Sequence, residues 1–216
     1  LRRRRDLLAQ VLALYEQRAG FFGELLIQHL AISGIAILIG GIIGLIIGIV
    51  ISGRRRVAPI IIGTTNVIYT IPSIALLGFL IPITGIGNTT AIVALSLYAL
   101  MPMVRNTYTG LTGIDGAIVE AAKGMGSTKS QIMVKIRLPL AMPVIWAGFR
   151  NMVVMTIALT GIASFIGAGG LGVAIYRGIT TNNLALTVAG GIIIAALAFV
   201  LDYVLGFIGK KIIETR

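Results

Sequence analysis

The chain has 216 residues, 57% of them hydrophobic and 12% charged, with a mean hydropathy of +1.01 and a formal net charge of +11. Soluble domains carry about 25% charged residues, so this composition excludes an ordinary soluble domain and demands lipid. Cysteine is absent, which excludes disulfides and thiolate chemistry. The basic residues sit at the ends of apolar segments, where lipid headgroups explain them better than nucleic acid does.

In chain order, residues 1–28 read as an N-terminal amphipathic, interfacial segment. It has the tetra-arginine start Arg2 to Arg5, an amphipathic stretch from Leu7 to Leu14 and a polar break at Glu16, Gln17 and Arg18. The same break argues against a cleavable signal peptide. Residues 29–216 form the membrane domain. A hydrocarbon core of about 30 Å needs about 20 apolar residues per helix, and the spacing predicts five spans near residues 29–51, 58–82, 89–104, 141–162 and 186–208, the third being the shortest. Runs such as Ile42 to Ile51 are apolar on successive residues, which fits helices and not the alternation of a barrel. Gly40, Gly44 and Gly48 repeat the small-x-x-x-small spacing of close helix packing. Pro72 predicts a kink in the second span, with the hydroxyls of Thr70 and Ser73 placed to satisfy the freed backbone.

Between the third and fourth spans lies a polar island. Asp115 can cap a helix running through Glu120, and Gly124 and Gly126 supply a stop. Thr128 with Gln131 makes a capping-box pattern, and Pro139 ends that second helix or begins the next element. Ala121 and Ala122 have little bulk, so a partner could approach closely beside the Glu120 charge. Spacing alone leaves a solvated helical hairpin and a docking knob both open.

The pattern Glu120-Ala121-Ala122, Gly126, Ile136, Leu138 and Pro139 resembles the coupling loop, or EAA motif, of the permease subunits of binding-protein-dependent ABC importers. The resemblance implies that a loop over residues 105–138 fits a groove on a separate ATP-binding subunit. Orientation follows from charge. Arg54, Arg55, Arg56, Arg105, Lys123, Lys129, Lys135, Arg137, Lys210, Lys211 and Arg216 mark the cytoplasmic side, whereas the opposite connections contain only Arg177. An odd span count then puts the N-terminus outside, against the rule for Arg2 to Arg5 and Arg18, unless Leu7 to Leu14 lies along a membrane surface or upstream residues are missing.

Enzymatic chemistry finds little support. His29 has no second His, Cys or carboxylate cluster to build a metal site, and it reads as an interfacial residue at the edge of the first span. Gly167, Gly169 and Gly172 satisfy G-x-G-x-x-G, but no strand precedes them and Ile192 stands where a ribose-binding acid belongs; a close-packed turn is the better reading. No P-loop pattern occurs, so ATP hydrolysis must come from another chain. Two charges fall within spans, Arg150 and Asp202. Both lie about 10 to 16 Å inside the same membrane edge at about 1.5 Å per residue, so an ion pair between them is the cheapest arrangement. Candidates for a translocation path are Asn66, Tyr69, Thr70, Asn151 and Thr156.

Beyond the island, Tyr69 to Ala75, Ile81 to Gly87, Met101 to Gly110 and Ala163 to Gly172 look like the osmoprotectant permeases, the glycine betaine, carnitine and choline importers. The resemblance implies an all-α integral membrane fold of about five transmembrane helices, the type I ABC importer permease fold of the methionine importer. It also implies a non-catalytic subunit without a cofactor of its own. Its partners would be ATPase subunits that bind ATP and Mg, a second copy or sister permease, and an extracytoplasmic substrate-binding protein. Ergothioneine, another zwitterion or an amino acid remains an alternative solute. A self-contained channel or secondary carrier is the alternative class, and it leaves the island without a purpose.

Overall fold

The computed structural model describes residues 2–214, with side chains from 7 to 212. The side chains of Arg2 to Arg5, and Arg216 altogether, lie outside the described residues. Ten α-helices follow one another among them: α1 (Arg2–Gln17), α2 (Ala19–Ser52), α3 (Ala58–Thr70), α4 (Ser73–Thr84), α5 (Asn88–Thr112), α6 (Gly116–Gly124), α7 (Lys129–Ile132), α8 (Leu138–Thr160), α9 (Gly172–Thr180) and α10 (Leu184–Glu214). A π-turn, Met133–Arg137, joins α7 to α8, and a 3₁₀ turn, Gly161–Ile166, follows α8.

Among the described residues, three helical runs are long and apolar enough to cross a membrane: Ala19–Ser52, Lys129–Ile166 and Leu184–Ile212. The predicted second span is not a kinked rod. It breaks at Ile71–Pro72 into α3 and α4, which meet at 99°. The hydroxyl that captures the Ile71 carbonyl at the break comes from Tyr98 on α5, whereas Thr70 bonds back to Val67 O within α3. The helix over the predicted third span is longer than predicted, though it is not one of these apolar runs. α5 has 25 residues, about 37 Å at 1.5 Å each. Its composition is more polar than that of the other spans because it lies inside the bundle, packed by α2, α3, α4 and α8. Thr90, Ser96 and Thr107 are buried along it, and no lipid-facing coat is required of it.

The seam between α2 and α5 is set by glycine. A Cβ on Gly40 would stand 2.5 Å from Ala99 Cβ, on Gly44 2.7 Å from Met103 Cβ and on Gly48 2.5 Å from Thr107 Cβ. Only hydrogen fits at these three positions, so the spacing of four draws two helices into backbone contact. α5 and α8 share a core of Ala99, Met103, Leu111, Ala141, Ile145, Met152 and Ile157.

The N-terminal segment has one face on protein and one exposed at Leu8 and Leu12. The amphipathic stretch packs on protein: Val11 is 2% exposed in a cluster with Leu25, Ala185 and Ala189, and Tyr15 donates to Ala189 O at 2.8 Å. The 28/29 domain boundary falls within the unbroken α2. His29 is fully buried, not interfacial. Its Nδ1 accepts from Leu171 N at 3.3 Å, so the proton sits on Nε2, which donates to Ile157 O at 3.0 Å. The ring pins the glycine-rich turn to the end of α8. Gly167 and Gly170 have φ of +77° and +95° there, which is the tight turn read from the sequence in place of a nucleotide loop.

Candidate functional site

The polar island forms a small knob at the end of the bundle where α2, α5 and α10 finish. Asp115 caps α6 by accepting from Ala117 N at 2.9 Å. The chain reverses at Gly126, whose φ is +82°. A Cβ there would meet nothing within 4 Å, so the left-handed backbone and not space demands glycine. Thr128 and Gln131 close a reciprocal capping box: Gln131 N donates to Thr128 Oγ1 at 3.3 Å, and Thr128 N donates to Gln131 Oε1 at 2.8 Å.

Val119, Ala122 and Ile132 form the knob's own core, flanked by Ile114 and Ile136. The alanine pair therefore divides its work. Ala122 is 1% exposed and clamps α6 to α7, while Ala121 and Glu120 face outward. Ile136, Leu138 and Pro139 are half-buried on the run that leaves the knob. Pro139 follows directly on the π-turn and offers no N–H to bond back into it. The π-turn Met133–Arg137 joins α7 and α8 into one helical run, 38 residues with the 3₁₀ turn included, so the knob is the end of a rod through the bundle. A π-turn has no composition signature comparable to a cap, and the sequence reading broke the chain there instead.

Beside the knob opens a cavity of about 950 Å³ lined by Ser52, Arg55, Tyr108, Glu120, Lys123 and Arg137, among others. Arg137 Nε is buried there without a hydrogen-bond partner. Arg55 and Arg137 entered the sequence reading only as topology markers, because nothing in their spacing brings residues 55 and 137 together.

The second polar feature runs along α8. Ala147, Asn151 and Ala158 are exposed on one stripe of that helix, with Arg150 and Met155 at its two edges. On one edge, Arg150 Nε donates to Asp202 Oδ1 at 2.5 Å and Nη2 to Oδ2 at 2.6 Å, a bidentate pair to α10. On the other, Tyr69 of α3 donates to Met155 Sδ at 2.9 Å. The stripe is thus the floor of a trough walled by α3 and α10. Glycine again makes the fit: a Cβ on Gly206 would meet Arg150 Cζ at 3.1 Å, and on Gly209 would meet Trp146 Nε1 at 2.5 Å. Trp146 Nε1 donates to Leu205 O at 2.9 Å. Of the other path candidates, Asn66 is half-buried on α3 with Oδ1 unpartnered, and Thr70 is exposed. Thr156 is 2% exposed and bonds Met152 O, so it faces the core and not the trough. Among the described residues no group of three or more His, Cys, Asp or Glu could hold a metal.

Residues 36–214 match the family described as binding-protein-dependent transport system inner membrane component. The chain belongs to this family. It is a non-catalytic, multi-pass permease component, and hydrolysis of ATP falls to a separate subunit. The permease is 40% identical over 208 residues to the glycine betaine/carnitine/choline transport system permease protein OpuCD of Bacillus subtilis, covering 96% of this chain and 91% of that protein. It is 40% identical over 192 residues to the osmoprotectant import permease protein OsmW of Salmonella typhimurium, covering 87% and 89% of the two chains. Among solved structures, an inward-facing conformation of the MetNI methionine ABC transporter superposes with a TM-score of 0.75 at 25% identity over 86% of this chain and 93% of the other. An amino acid ABC transporter crystallised with histidines gives 0.74 at 21% identity over 95% and 98%, a likeness of fold. The permease therefore has the methionine-importer type of fold read from its sequence.

Proposed function

We propose that this permease forms the translocation path of an ATP-driven importer for osmoprotectants and quaternary ammonium compounds, of the kind glycine betaine, carnitine and choline represent. Its near full-length similarity to permeases named for those solutes supports the solute class. The path would lie between this chain and a second copy or sister permease, because one chain offers an open trough and not a closed tube. Asn66, Tyr69, Thr70 and Asn151 are its proposed lining. An extracytoplasmic binding protein would deliver the solute, with recognition concentrated there, since aromatics are only 6% of this chain.

The observation that carries the coupling role is mechanical. The knob bearing Glu120, Ala121, Ala122 and Gly126 is continuous through Ile136, Leu138 and Pro139 with α8. A force applied to the knob moves a rod that floors the trough. Closure of two ATPase subunits around ATP and Mg would draw two such knobs together and tilt the rods, which is alternating access. The clustering of Arg54, Arg55, Arg56, Arg105, Lys123 and Lys210 at the knob end supports an inward-facing knob.

Co-purification with the cognate ATPase, followed by uptake of glycine betaine, carnitine and choline into proteoliposomes with binding protein outside, tests this reading. ATP-dependent uptake that vanishes with a Glu120 or Gly126 substitution is the expected result. Full uptake by the lone chain, or a knob labelled from the external side of the cell, overturns it.

A further inference from the structure

The Arg150–Asp202 pair has an unusual address. Arg150 is eleven residues, about 16 Å, beyond Pro139 on α8, and Asp202 is eight residues, about 12 Å, before Lys210 on α10 at 1.5 Å per residue. Both therefore stand inside the apolar layer, well past its knob-side boundary residues. Yet their side chains are 42% and 37% exposed. Hydrocarbon is a poor environment for such exposed charge, even when paired. The face that carries them must be turned toward water or toward another polar surface.

Three further features agree on water. Asn151 is exposed beside the pair, and a cavity of about 400 Å³ lies along Pro143, Trp146, Arg150, Asn151, Val154 and Asp202. At the edge opposite α10, the Tyr69 hydroxyl of α3 bonds Met155 of α8. A lipid-facing surface of this same protein looks different: the exposed residues on α2 include Ile35, Leu38, Ile42 and Ile46.

The pair also has unused capacity. Asp202 takes Nε and Nη2 of the guanidinium, which leaves the Nη1 edge to donate elsewhere. An Arg–Asp pair is a fixed dipole with no net charge. A zwitterion laid against it head to tail can place its carboxylate by Arg150 and its cationic end by Asp202, without either protein charge losing its partner. Trp146 lines the same cavity and adds an indole, the strongest cation–π surface among side chains. A plain cation gains only half of this arrangement, because the arginine repels it.

We propose that the Arg150–Asp202 pair lines the water-filled path within the membrane and is a transient dipolar contact that favours zwitterionic over purely cationic solutes. The proposal rests on the importer reading above and adds to it the solute-contacting residues and the solute charge pattern they select.

The cysteine-free chain makes a direct test possible in the complete complex with its ATPase and binding protein. First, single cysteines at Asn151 and, as a lipid-facing control, at Ile42 are treated with a water-soluble quaternary ammonium thiosulfonate. Asn151→Cys should react and be slowed by glycine betaine, while Ile42→Cys should not react. Equal reactivity at the two positions overturns the placement of the pair on the path. Second, the charge-free variant Arg150→Gln with Asp202→Asn is compared with the unmodified pair for uptake of glycine betaine and of choline. The glycine betaine to choline ratio should fall about tenfold, the size of one charge-assisted contact. Uptake of both solutes falling together with the ratio unchanged would make the pair a structural clamp only and overturn the proposal. Failure of the unmodified complex to transport either solute would instead refute the importer reading.

Discussion

Adding one methyl group at Gly48 tests the account of how α2 is held to the bundle. Alanine there would bring Cβ to 2.5 Å from Thr107 Cβ, 2.7 Å from Thr107 Cγ2 and 3.1 Å from Val104 O. Carbon–carbon contacts are optimal at about 3.5–4.0 Å, so α2 and α5 must part by about 1 Å. The opposing atoms are a branch point and a backbone carbonyl, and neither can swing aside. Overpacking of this kind costs about 1–3 kcal/mol. Against it stands the backbone entropy that alanine saves in a helix, about 0.5–1 kcal/mol. The steric term wins, and Gly48→Ala should be destabilised by about 0.5–2 kcal/mol. Gly34 lies on the same helix with nothing within 4 Å of its Cβ position, so only the entropic term acts and Gly34→Ala should gain about 0.5–1 kcal/mol. Thermal unfolding of the purified variants reads both, at roughly 2–4 °C per kcal/mol for a chain of this size. Equal shifts for the two variants, or a stabilised Gly48→Ala, would refute the packing argument.

Three other perturbations follow from the same reasoning. Gly126→Ala places a Cβ on a backbone of φ +82° and should cost the knob about 1–2 kcal/mol, with weaker retention of the ATPase on co-purification and no loss of the transmembrane helices by circular dichroism. His29→Leu removes both bonds that join the Leu171 N–H and the Ile157 carbonyl. Each stranded buried group costs about 1–3 kcal/mol, and hydrogen exchange should accelerate over residues 161–171 before it does in α5. Tyr98→Phe releases the Ile71 carbonyl at the break between α3 and α4. Spin labels on the two arms should report a broader distance distribution, and an unchanged distribution would show that proline alone holds the 99° bend.

Much of this protein is written in local patterns. Composition decides the lipid setting, because apolar runs of this length leave no other solvent for the chain. The caps at Asp115 and Thr128 and the reversal at Gly126 are likewise local, each fixed by residues within three positions of one another. The four-residue spacing of Gly40, Gly44 and Gly48 announced a close seam, since residues four apart share one helix face. Where the reading failed, the deciding partner was remote. The second span was expected to kink with its own hydroxyls satisfying the break, but the hydroxyl that does so belongs to Tyr98, 27 residues away. His29 looked interfacial because it sits at the edge of the first apolar run, whereas its ring reaches Ile157, 128 residues on. α5 looked too short because helix ends were judged by hydropathy, and a helix wrapped by its neighbours needs none on the outside.

The sequence by itself determined a helical membrane protein with one structured polar knob, because bilayer length, helix caps and glycine turns act over a few residues and leave their marks in order. Tertiary structure alone decided that the knob is the end of a rod, that Thr156 faces the core while Asn151 faces a trough, and that the Arg150–Asp202 pair stands partly exposed between α8 and α10. Those outcomes depend on the rotation of one helix against another, a quantity set by contacts between residues tens of positions apart.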